Sequence, residues 1–238
     1  MVAKPPPWTG FATIWVASAR WTRLFGVTAA ASPVATLCLH SLRLLGAADT
    51  FRAAARFGLD YDETRELLPD FASVGWVSTT EFGGIRAWSL TDAGRAENTR
   101  QLAVELDACG GRAAVTRAHA AFVPLNGRFQ QAATDWQLHP LPADAMAAND
   151  HTDVRWNDRV IERLVSLGRQ LRPVCAELTA VLTRFDGYPE RYEAAVERVQ
   201  GGQARWVDAI EVDSCHLVWM QLHEDLLATL GLPRGHET

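Results

Sequence analysis

A chain of 238 residues, 48% apolar and 21% charged, has ordinary globular composition and enough length to bury one large core or two small ones. That excludes a disordered or fibrous protein, and the net charge of −5 removes any general attraction to nucleic acid or an anionic membrane. Cys38, Cys109, Cys175 and Cys215 are widely spaced and form no CxxC pair, so they read as buried free thiols of a reducing cytoplasm rather than a disulfide framework.

Residues 1–33 open on Pro5-Pro6-Pro7, followed by an apolar run over 11–19 and then Arg20 and Arg23. The run is too short to span a bilayer, and the prolines and early arginines spoil a signal-peptide pattern. An N-terminal arm is expected, packed on the body or on a partner subunit. Lys4, Arg20 and Arg23 would also suit a minor-groove arm.

Residues 35–46 place Cys38, Leu42 and Leu45 on one helical face, with Ser41 among them, and stop at Gly46. A second short helix is expected over 49–58, capped by Asp49 or Thr50 and closed by Gly58. A third begins at Asp60, with Glu63 three residues on, and runs through Leu67 and Leu68 toward Gly75, kinked or split at Pro69. Residues 76–80 and 85–90 then alternate as strands around the turn Glu81-Phe82-Gly83-Gly84.

The run Leu90-Thr91-Asp92-Ala93-Gly94-Arg95 resembles the end of the wing in MarR-like and PadR-like winged-helix regulators, where Leu-Thr-x-x-Gly-Arg leads into a long helix. The resemblance covers about residues 35–110. It implies a winged helix-turn-helix whose third helix reads DNA, with Arg52, Arg56 and Arg86 on phosphates and Tyr61 and Arg65 as base readers. The charge on that helix runs the other way: Asp60, Asp62, Glu63, Glu66 and Asp70 are set against Arg65 alone. Such a surface repels phosphates. Abundant alanine, and Lys4 as the only lysine, suit a high-GC bacterial genome.

A helix over 92–107, with Leu102 and Leu106 inward, is broken by Gly110-Gly111. The next, over 112–133, carries Val115, His119, Phe122, Asn126 and Phe129 on one stripe, with a kink expected at Pro124. His119 and Asn126 are either satisfied core polar groups or part of a ligand pocket with Trp136, His151, His216, Trp219 and His223.

Residues 136–154 compose a long loop. In it Asp150, His151 and Asp153 could form an acid/base site with an orienting carboxylate, or simply cap the helix that begins near Val154. From there the pattern is helical: Val160, Ile161, Leu164 and Leu167, then a stripe from Leu171 to Phe185, a helix over 188–200, and a long one over 206–230. Asp213, His216 and His223 are the weak candidate metal set. No phosphate loop, HExxH or nucleophile elbow appears.

The expected protein is therefore mainly α with a small β-hairpin wing. An arm (1–33) precedes a winged helix-turn-helix (34–110) and a C-terminal helical bundle (111–238) for ligand binding or dimerisation. The expected function is a cytoplasmic, homodimeric transcriptional regulator that senses a small apolar or aromatic molecule, with DNA as partner, no cofactor and no membrane. The rival is a winged helix that does not bind DNA and serves as a ligand-binding, protein-docking or catalytic module with His151 as acid/base.

Overall fold

The computed structural model describes residues 29–82 and 84–233. The sequence readings on Lys4, Arg20, Arg23 and the apolar run lie outside them. The backbone of Ala30 pairs with Val181 and Thr183 on either side of Leu182.

The first part runs α1 (Val34–Leu45), β1 (Ala47–Ala48), α2 (Thr50–Ala55), α3 (Tyr61–Ser73), β2 (Val77–Phe82), β3 (Ile85–Leu90) and α4 (Asp92–Ala108). The strands form one antiparallel sheet of order β1-β3-β2, with Thr79 opposite Trp88 and Ala48 opposite Trp88 on its other side. The two-residue strand β1 is too short to carry an alternating pattern, so the sequence gives no sign of it. Cys38, Leu39, Leu42, Ala53, Leu68, Phe71, Val77 and Trp88 close a small core between helices and sheet.

Side-chain caps set the helix starts. Asp49 accepts from Arg52 N and Asp60 from Glu63 N, each satisfying an amide that the helix itself leaves open. α3 passes through Pro69 without a break, which differs from the expected kink. Pro69 faces solvent, so water can take the carbonyl that loses its partner.

The Leu-Thr-x-x-Gly-Arg run is a joint. Thr91 Oγ1 accepts from Gly94 N at 3.0 Å, capping α4, and donates to Gly75 O at 2.6 Å, tying that cap to the end of α3. A Cβ on Gly94 would lie 1.8 Å from Trp76 O, so only glycine lets strand entry and helix start cross here.

The second part runs α5 (Arg112–Gln137), α6 (Val154–Thr179), α7 (Tyr188–Gln200) and α8 (Cys215–Leu230), packed around a larger core that includes Phe122, Phe129, Leu164, Leu171, Tyr192, Trp219 and Leu222. α5 is continuous through the exposed Pro124. The last helix starts at Cys215 rather than near Trp206, because Ser214 caps it by accepting from Leu217 N, after a 3-10 turn over Ala204–Trp206. Cys38, Cys109, Cys175 and Cys215 are free thiols, Cys109 only half-buried. No helix among the described residues is long and apolar enough to cross a membrane.

Candidate functional site

The two parts meet along α1, α4 and α8, and that seam is polar. His40 on α1 is fully buried, with Nδ1 3.2 Å from Asn98 Oδ1 and Nε2 3.0 Å from Asp225 Oδ1.

Asp225, also fully buried, accepts from Arg184 Nη1 at 2.7 Å and from the Tyr188 hydroxyl at 3.1 Å. Burial opposes its ionisation, but Arg184, then His40 and Arg56, outweigh that and hold its pKa at about 2. Arg184 also donates to Thr229 and reaches Glu105 at 3.3 Å. Burial pushes the Tyr188 hydroxyl far up, so it stays a donor.

A second cluster lies alongside. Arg43 donates to Glu224 at 2.7 Å and to Thr99 at 2.7 Å, and Arg95 reaches the same carboxylate at 3.4 Å. Thus the arginine of the Leu-Thr-x-x-Gly-Arg run faces the helical part.

Arg56, at the end of α2, places its guanidinium carbon 4.5 Å over the Phe57 ring and 4.8 Å over the Tyr188 ring. Arg191 lies 5.7 Å from the Tyr188 ring centre and grips Asp213 with two bonds of 2.8 and 2.9 Å. Arg52, Arg56 and Arg191 line a cavity of about 280 Å³ with Leu45, Ala55 and Asp213.

No family model, curated protein or solved structure matches this chain. Its chemistry therefore rests on the placement of its own residues.

Of the expected DNA-facing residues, Tyr61, Arg65 and Arg86 are exposed, Arg65 beside Asp62 at 3.3 Å. Arg56 is turned into the seam and Arg52 lies on its rim.

The expected ligand-pocket residues divide into two groups. Trp219, fully buried on α8, donates to Asn126 Oδ1 at 3.0 Å and stacks on Phe129 at 4.5 Å. His216 stacks on Phe129 and His223 leans on Phe122, so Asn126, His216, Trp219 and His223 share the α5–α8 contact. Asn126 thereby takes the role of a satisfied core group. His119 lies on α5 half-buried, two turns before Asn126.

Trp136 and His151 meet elsewhere, at 4.4 Å, where the long loop returns to α6. His151 has φ 60, and its amide donates to Asn149 Oδ1. Asp153 caps α6 by accepting from Trp156 N, and Asp150 accepts from Thr152 N and Oγ1. The backbone amide of Trp156 holds the Asp153 carboxyl below its ordinary range, and the Thr152 amide, then its hydroxyl, does the same for Asp150. Neither carboxylate orients His151, whose ring nitrogen instead faces Asn157 at 3.4 Å. The arrangement is that of a cap and a turn.

Asp213, His216 and His223 do not form a metal set. Asp213 precedes α8 and is neutralised by Arg191, and no group of three or more His, Cys, Asp or Glu among the described residues is placed to hold a metal.

His40, Arg184, Tyr188, Arg191 and Asp225 are the residues sequence reading missed. A signal existed for two of them: His40 sits between Leu39 and Leu42 on the buried face of α1, and Asp225 between Leu222 and Leu226 on α8.

Proposed function

We propose that this chain is a winged-helix transcriptional regulator, cytoplasmic and dimeric, in which the helical part senses a small molecule and the polar seam passes that state to the DNA-reading head. The observation that carries the reading is the order α1-β1-α2-α3-β2-β3 with sheet order β1-β3-β2, which leaves α3 and the β2–β3 hairpin on the surface as a reading helix and wing would be. Tyr61 and Arg65 on α3 and Arg86 on the wing are the contacts this reading uses. Free thiols support a reducing compartment.

The seam supplies a physical basis for coupling. A ligand acts on such an equilibrium only through different affinity for two arrangements of the parts. Buried charge pairs are tolerant of neither partial separation nor sliding, because each partner left alone is a desolvated charge. Two discrete arrangements are what such a contact favours.

One observation supports the second reading, a winged helix that docks on a protein instead of DNA. α3 exposes Asp62, Glu63, Glu66 and Asp70, while Arg43, Arg56 and Arg95 are turned inward. The test is fluorescence anisotropy on DNA from the region upstream of the gene, beside a scrambled duplex. Selective binding supports the regulator; equal weak binding to both duplexes supports docking.

A further inference from the structure

We infer that the seam cavity between α2 and α7 is a binding site for a small organic carboxylate. Its lining holds three guanidiniums, Arg52, Arg56 and Arg191, and one carboxylate, Asp213. Arg191 and Asp213 neutralise each other through two hydrogen bonds. Among the described residues neither Arg52 nor Arg56 has a carboxylate within ion-pair distance, so the lining carries more positive than negative charge.

The donors are prepared rather than loose. Arg56 is clamped between the Phe57 and Tyr188 rings, and its Nε and Nη2 are buried with no hydrogen-bond partner. Arg191 is fixed by Asp213 and Gln221, and its Nη1 is likewise buried and unpartnered. Buried guanidinium donors left without acceptors are costly, and an incoming anion removes that cost. Holding a cation rigid before the ligand arrives also lowers the entropy lost on binding.

Size and shape narrow the class. About 280 Å³ lies at the small end of ligand sites, and Leu45 and Ala55 offer an apolar wall. The apolar side chains of Leu45 and Ala55 leave a strongly hydrated dianion such as phosphate without a match for part of its surface. A monocarboxylate with a short branched hydrocarbon tail meets all three conditions.

The site bridges α2 of the first part and α7 of the second, so its occupancy bears directly on the seam; that role as effector rests on the regulator reading, whereas binding does not.

The experiment is calorimetric titration of the full chain, without DNA, with 3-methylbutanoate, its uncharged amide and inorganic phosphate at low salt. The expected result is saturable one-to-one binding of the carboxylate, none of the amide, and phosphate at least tenfold weaker. Arg52→Gln, an exposed position, should weaken the carboxylate at least tenfold with an unchanged melting temperature, while Arg117→Gln on α5 leaves it unaltered. Arg56→Gln should weaken it as well. No saturable binding, equal binding of amide or phosphate, or an unchanged affinity in Arg52→Gln would overturn the site. Since no DNA is present, these results bear on the site alone, and loss of DNA binding in a separate assay bears on the regulator reading alone.

Discussion

His40 on the first helix and Asp225 on the last lie 3.0 Å apart, both wholly buried, although 185 residues separate them in sequence. Around this pair Asn98 approaches His40, and Arg184, Tyr188 and Thr229 surround Asp225 in a buried polar network. The two parts of the chain are thus joined by buried charged groups that α1, α4 and α8 bring together.

Asp225→Asn should therefore cost about 3–5 kcal/mol, because it takes from buried Arg184 the nearer of its two carboxylates and leaves only Glu105 at 3.3 Å. Arg172→Gln, which breaks the exposed pair with Glu193 on the bundle surface, should cost about 1 kcal/mol or less. Urea unfolding of both variants checks the difference. Equal losses would mean that the seam carries no special weight.

Asp225 also sets an acid limit. Its folded pKa, near 2, lies below the ordinary 3.8, so its contribution is fully present above about pH 4 and fades as pH falls toward 2. The contribution is on the order of 2 kcal/mol. Asp213, held down by Arg191 against a smaller effect of burial, adds in the same direction. The slope of unfolding free energy with pH between 4 and 2 should flatten in Asp225→Asn.

Two glycines on helices should respond oppositely to alanine. Gly94→Ala drives a methyl into the Trp76 carbonyl, a backbone atom with no freedom to swing away, and should destabilise by about 3 kcal/mol. Gly127→Ala, exposed within α5 with nothing near its Cβ, should stabilise by about 0.5–1 kcal/mol. Thermal melts of the pair separate the two effects.

In the long loop, Asn149 rather than His151 is the organising residue. Its amide donates to Trp136 O and Asn157 Oδ1, and its carbonyl accepts the His151 amide. Asn149→Ala should open the loop to limited proteolysis at an early time point, while Asp150→Ala should be cleaved more slowly. The opposite order would return attention to Asp150 and His151 as a working site.

Much of the architecture is legible from spacing. Apolar periodicity marks α1, α3 and α7, and Asp49, Asp60 and Asp153 announce their helices because a cap is a local interaction between residues three apart. Pro69 and Pro124 mislead, since a proline breaks a helix only where its missing bond cannot be replaced by water. The seam is illegible for a different reason. Nothing local in Arg184 or Tyr188 tells that their partners lie on α8, and the arginines of the first part look like phosphate contacts until Glu224 and Tyr188 are seen to hold them. The Leu-Thr-x-x-Gly-Arg run is recognisable by eye, yet its residues cap, cross and pair within the protein.

The most direct test of the regulator reading is the salt dependence of anisotropy on the upstream duplex for the wild type, Arg65→Gln, Arg86→Gln and Arg56→Gln. The expected result is sequence-selective binding. Arg86→Gln should lower the slope of log affinity against log salt by about one, and Arg65→Gln should relax selectivity. Arg56→Gln should leave the slope unchanged because its guanidinium lies in the seam. Binding that is equal on scrambled DNA, or a slope that falls with Arg56 and not with Arg86, would contradict the reading of α3 and the wing as the DNA-facing surface.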